Sequence, residues 1–210
     1  MGNSKVGYNI TGWIIVDKPA GITSTTVVNK IKRACGAKKA GHAGTLDPSA
    51  TGILAIALGE ATKTIPYVTN RPKSYIFEVK WGEATDTDDS EGTIIHESPM
   101  RPSKKDILAA IPLFRGEIEQ VPPLFSAVKI NGKRAYALAR RGHDFDIAPR
   151  SLLVSSLRLE KYISNSNAIL ALECGKGGYV RAIARDLGLK LGCYGHVTWL
   201  RRISSGSFNL

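Results

Sequence analysis

The segment Ser74–Trp81 constrains the architecture most. Tyr75, Phe77, Val79 and Trp81 alternate with Ile76, Glu78 and Lys80, the period of a strand with one face buried. Turn signals repeatedly follow such runs. Asp86, Asp88, Asp89 and Glu91 form an acidic turn before Gly92–His96, and Asn131-Gly132 follows Phe125–Ile130. The polar triplet Asn165-Ser166-Asn167 separates the runs 152–163 and 168–174. Strands are also expected over 12–16, 52–58 and 196–203, the first followed by a Pro/Gly turn at 17–21. Helical spacing is confined to a few stretches. Thr23 or Ser24 caps a helix to about Cys35, whose Val27, Val28, Ile31 and Ala34 share a face. Shorter helices are expected over 60–67, 103–111, 134–141 and 179–190. Many strands joined by hairpins, with few helices between, predict an α+β fold: a mixed, mostly antiparallel central sheet flanked by helices.

The balance of charge narrows the partner. Lys and Arg number 29 against 18 Asp and Glu, a formal +11 at pH 7, which favours a polyanion. No apolar run approaches the length of a membrane span. The polar N-terminal stretch 1–8 lacks the apolar core of a signal peptide, so a cytoplasmic location is expected. Cys35, Cys174 and Cys193 are odd in number and scattered, and the four histidines are dispersed. Neither a disulfide framework nor a metal site is expected.

The densest loop is 41–52, Gly-His-Ala-Gly-Thr-Leu-Asp-Pro-Ser-Ala-Thr-Gly, which enters an apolar strand. Pro48 keeps Asp47 out of the helical region, and the glycines permit close backbone approach. It lacks the Gly-Lys-Ser/Thr ending of a phosphate loop, and the glycine cluster 175–178 lacks the spacing of a nucleotide fingerprint. Taken alone, Asp47 reads more readily as a side chain closing a turn over Pro48.

This run resembles the G-H-x-G-x-L-D-P-x-A-T-G signature of the TruB family of pseudouridine synthases. The segments 13–24, 58–63, 85–92, 114–140, 174–188 and 196–202 are similar to the family in the same order, across nearly the whole chain. The resemblance implies the pseudouridine synthase fold and isomerisation of uridine 55 in the T-arm of tRNA, without cofactor or metal. It implies Asp47 as the catalytic carboxylate, paired with Arg181. It places His42 beside the flipped nucleotide, Tyr75 on the target base, Tyr179 and Leu200 in the pocket, and Lys18 in support. Whether the carboxylate attacks the sugar, attacks C6 or removes a sugar proton stays open.

The basic groups Lys30, Lys32, Arg33, Lys38 and Lys39, with Lys133, Arg134, Arg140 and Arg141, are collective candidates for phosphate contacts. A non-catalytic RNA-binding role is the competing reading, and an intact Asp47 and Arg181 favour the enzyme. Guide-RNA-directed synthases share these motifs as well. Ser49, Gly175 and Gly178 depart from the family's usual leucine, serine and threonine, which bears on pocket shape. The resemblance implies one catalytic domain over 1–210 without the family's common C-terminal PUA-like domain, acting as a monomer with no protein partner required.

Overall fold

The computed structural model describes residues 8–209. The segment 1–7, most of the stretch judged too polar for a signal peptide, lies outside the described residues. In chain order the elements are β1 (Gly12–Lys18), α1 (Ser24–Ala34), β2 (Ala40–His42), β3 (Thr51–Leu58) and α2 (Ile65–Thr69), the last preceded by a 3-10 helix over Gly59–Thr64. There follow β4 (Lys73–Trp81), β5 (Glu83–Thr85), β6 (Ile94–Glu97), α3 (Lys104–Ala110), β7 (Gly116–Gln120), β8 (Lys129–Ile130), β9 (Lys133–Arg134) and α4 (Ala135–Ala139). The chain closes with β10 (Arg150–Tyr162), β11 (Asn167–Cys174), α5 (Val180–Lys190), β12 (Gly195–Ser205) and β13 (Phe208–Asn209). The residues divide into two compact units: one holds the chain up to Ser74 and from Arg201 onward, the other Tyr75–Leu200.

In the first unit β3 is the organising strand. Its sequence, Thr-Gly-Ile-Leu-Ala-Ile-Ala-Leu, is apolar at every position from Ile53, and Gly52–Leu58 are all buried. An unbroken apolar run of this length suits a strand covered on both faces. β1 pairs antiparallel along it, from Gly12 opposite Leu58 to Lys18 opposite Gly52. The other edge is shared: β2 is antiparallel at Leu58–Ile56, and β12 is parallel at Thr51 and Gly52. Helix α1 starts at Thr23, whose hydroxyl accepts the Thr26 amide at 3.1 Å, an N-cap contributing about 1 kcal/mol. Its Val27 and Val28 pack with Leu54, Ile56 and Leu58. Each fully buried aliphatic side chain contributes about 1.5–3 kcal/mol, which is what holds the helix on the sheet.

In the second unit the expected alternation of β4 is observed: Tyr75, Phe77, Val79 and Trp81 are buried and the residues between are not. The strand order is β4-β11-β10-β7, with β10 antiparallel to both β11 and β7. Helix α3 carries a full capping box, Ser103 and Asp106 each satisfying the other's backbone amide. The Asn131-Gly132 turn has φ of 48° and 82°, the left-handed pair of a type I′ hairpin, and joins β8 to β9.

Three expectations shift and one strand was not expected. The loop expected from Ala40 begins with β2, because its amides can complete the ladder on β3. The strand expected over 125–130 contracts to Lys129–Ile130. The helix expected over 60–67 is a 3-10 turn followed by a short α-helix with Pro66 in its first turn. Strand β7, with Glu117 and Glu119 exposed, has too few apolar residues to be read from pattern.

Candidate active site

The Asp47 loop leaves β2 after His42 and rejoins β3 at Thr51. Ala43 extends the ladder by donating to the Ala55 carbonyl at 2.9 Å, and the Ala50 amide closes a turn on the Asp47 carbonyl at 3.2 Å. Between these points the backbone is held by three buried polar side chains of the same unit. The ammonium of Lys18, which has no exposed surface, donates to the carbonyls of Pro19 (2.9 Å), Ile22 (2.8 Å) and Pro48 (2.9 Å). The Ser24 hydroxyl donates to the Leu46 carbonyl at 3.0 Å and accepts the Leu46 amide at 2.9 Å. The Arg202 guanidinium donates to the carbonyls of Ile53 (2.7 Å), Gly44 (3.1 Å) and Thr45 (3.4 Å). The Gly21 amide adds a further bond to Pro48 at 2.9 Å. The residues on either side of Asp47 are thus tethered, Leu46 by Ser24 and Pro48 by Lys18 and Gly21. Asp47 itself is partly buried.

Two glycines make this geometry accessible. Gly52 has φ of +99°, and a Cβ there would lie 2.1 Å from the Arg202 carbonyl oxygen across the parallel pairing. Gly44 has φ of +104°, where an L side chain is strained.

His42 ends β2 on the rim of this loop and is partly buried. Among the described residues no hydrogen-bond partner reaches its buried Nδ1. Burial pushes its pKa below the usual histidine value, the Arg202 guanidinium lowers it further, and the Gly44 backbone opposes the shift. His42 is therefore the neutral imidazole at pH 7, suited to lie against a base rather than a phosphate. Exposed Asp17 makes a bidentate pair with Arg201, Oδ1–Nη1 3.0 Å and Oδ2–Nη2 2.7 Å, and that contact lowers its pKa.

The remaining expected site residues belong to the unit Tyr75–Leu200. Tyr75 is the first buried aromatic residue of β4, Leu200 is buried in β12, and Tyr179 is the N-cap of α5. Gln120, at the end of β7, grips Tyr179 from both sides: its Nε2 donates to the Tyr179 carbonyl (3.1 Å) and its Oε1 accepts the Tyr179 amide (2.9 Å). Arg181 is buried, donating to the carbonyls of Thr87 (2.7 Å) and Phe125 (3.1 Å), with Nη1 3.4 Å from the Asp89 carboxylate. The acidic turn is the scaffold for this arginine. Asp89 also accepts the Thr87 hydroxyl and the Glu91 amide, and its neighbour Asp88 pairs with Arg185 at 2.9 Å.

Sequence reasoning did not single out Ser24, Arg202, Gln120 or Asp89 for these roles. A signal existed for Arg202. It lies two positions beyond Leu200 on a strand, so alternation turns both to the same face, and both are buried. For Gln120 no local pattern carries the information.

Comparison with known proteins accords with this geometry. Residues 32–180 match the model described as the TruB family pseudouridylate synthase N-terminal domain, and residues 181–210 match that of the tRNA pseudouridylate synthase B C-terminal domain. A tRNA pseudouridine synthase B of Ruegeria pomeroyi is 59% identical over 208 residues, covering 99% of this chain and 69% of that protein. Among solved structures, a chain of a Cbf5-Nop10-Gar1 complex aligns with a TM-score of 0.74 at 30% identity, over 94% of this chain and 50% of that one. A chain of an H/ACA RNP bound to a substrate RNA containing 2'-deoxyuridine aligns with a TM-score of 0.70 at 26% identity, over 94% and 48% respectively. This chain thus spans about half the length of those solved chains. With the signature loop built around Asp47 and a family model matched over most of its length, the chain belongs to the TruB family of pseudouridylate synthases.

Proposed function

We propose that the protein is an isomerase that converts uridine to pseudouridine in tRNA, acting on the T-arm uridine at position 55 with Asp47 as its catalytic carboxylate. The supporting observation is the Asp47 loop, whose flanking peptides are tied down by buried polar side chains. A carboxylate closing an ordinary surface turn needs no such support. The reaction breaks the N1–C1′ bond, rotates the uracil and joins C5 to C1′. N1 gains a proton and C5 loses its hydrogen, so atoms balance without a co-reactant. A carboxylate serves such a cleavage as nucleophile, or as counter-charge to an electron-poor sugar.

The base must leave its stack to be reached. In this proposal Tyr75 stacks on the extruded uracil, where an aromatic face contributes about 1–3 kcal/mol. Neutral His42 sits beside the opened stack, and Tyr179 and Leu200 line the pocket. Arg181 serves the catalytic carboxylate as its guanidinium partner. Lys18 acts on the loop backbone, which accords with its burial and its three carbonyl acceptors. Lys30, Arg33, Lys38, Lys39, Lys133, Arg134, Arg140 and Arg141 are exposed, as phosphate contacts require. No described helix is long and apolar enough to cross a membrane, and we take the enzyme to act in the cytoplasm as a monomer.

The test is tritium release from C5-labelled tRNA, with pseudouridine mapped in the product. Asp47→Asn should release no tritium while still binding tRNA. Release at the wild-type rate would remove Asp47 from the chemistry, and modification mapped outside the T-arm would overturn the substrate assignment.

A further inference from the structure

We propose that Ser24 and Arg202 are positioning residues for the reaction, which fix the Asp47 carboxylate by holding the loop backbone on both sides of it. The inference rests on the proposed catalytic role of Asp47. Ser24 lies at the start of α1, but the helix does not use its hydroxyl, because Thr23 already caps the Thr26 amide. The Ser24 hydroxyl instead takes both backbone groups of Leu46, the residue directly before Asp47. A single oxygen that donates to the carbonyl and accepts the amide of one residue restrains the torsions on either side of it. The next peptide along is Asp47's own.

Arg202 acts on a longer lever. Its Nη1 and Nη2 reach Thr45 and Gly44 before Asp47, and its Nε reaches Ile53 after it, so one planar group spans the two limbs of the loop. The residue is 1% exposed. Burying a guanidinium carries a desolvation cost that an apolar side chain of similar volume would avoid. Packing alone does not explain an arginine here; fixing the separation of the limbs does. The same charge helps to keep His42 neutral.

The experiment compares wild type, Ser24→Ala, Arg202→Lys and Asp47→Asn in single-turnover tritium release at saturating tRNA, with tRNA affinity and thermal midpoint measured in parallel. Ser24→Ala removes one oxygen and leaves the helix cap in place. Misplacing a reacting group by about 1 Å costs on the order of 100-fold. The single-turnover rate should therefore fall roughly 10- to 100-fold, with tRNA affinity within about twofold of wild type. Arg202→Lys keeps the charge but loses the fork, and should show the same split between rate and affinity. A Ser24→Ala enzyme at the wild-type rate, beside an inactive Asp47→Asn, overturns this inference alone. So does a rate loss that disappears when activity is expressed per folded molecule, or a loss confined to tRNA affinity. An active Asp47→Asn overturns the functional reading itself, and this inference with it.

Discussion

The Asp47 loop and the acidic turn at 85–92 solve one problem in two ways. Each is an irregular segment that buried cationic side chains hold in place. In the loop, Lys18 and Arg202 face neutral backbone carbonyls. In the turn, Arg181 and Arg185 face the carboxylates of Asp89 and Asp88. A guanidinium on carbonyl dipoles holds backbone without recruiting a side-chain carboxylate. A guanidinium on a carboxylate is bound more strongly once buried, but it makes that carboxylate a structural part. Under the proposed function the loop holds its backbone through carbonyl contacts and Asp47 is kept for chemistry, while the turn uses its carboxylates for support.

The difference should be measurable as stability. Asp89→Ala removes the carboxylate from beside the buried Arg181, strips the Glu91 amide of its acceptor and leaves the Thr87 hydroxyl only the Asp89 carbonyl. Breaking a buried pair in this way should cost about 3–5 kcal/mol in chemical denaturation. Arg202→Met leaves three carbonyls without their donor but also relieves the burial of a charge, so its cost should be lower, about 2–4 kcal/mol. If Arg202→Met proves the more damaging of the two, the proposed contrast between the clasps fails.

How much of this was legible beforehand follows the same division. Segments whose burial follows a simple period were readable: the alternation of β4, the unbroken apolar run of β3, and the caps of α1 and α3. The Asn131-Gly132 turn was readable because only residues that tolerate positive φ fit it. Strand β7 was not, since the pairing described for it is with β10, thirty or more residues further along the chain. Asp47 itself stood out through its glycines and proline, and family resemblance supplied its expected role. Of its supports, the family resemblance named Lys18, but Ser24 and Arg202 did not stand out. Lys18 and Ser24 come from one stretch and Arg202 from a distant one, and they meet at the loop because β1, β3 and β12 pair and α1 follows β1. Alternation on β12 puts Arg202 on the face of Leu200, but which backbone groups a buried polar side chain meets leaves no pattern in sequence, since any carbonyl serves as acceptor.

The smallest predicted effect separates the two regions by pH. Burial pushes the Asp88 carboxyl up from 3.8 to about 6, outweighing the nearby Arg185 and Arg181 guanidiniums, while the Asp186 carboxylate adds slightly to the rise. The folded state then holds this proton more tightly than the unfolded chain does. The stabilisation is fully present below about pH 4, and it is lost as pH rises through about 6. Asp88→Asn keeps the position neutral throughout. The unfolding free energy of wild type minus that of Asp88→Asn should therefore fall by about 1–3 kcal/mol between pH 4 and 7, and level off above. Ser24→Ala changes only contacts between neutral groups, so its difference from wild type should stay flat over the same range. A flat Asp88 curve would mean that Arg185 holds the carboxylate ionised despite its burial. The turn would then be as indifferent to pH as the Ser24 contact, and the two clasps would differ in strength alone.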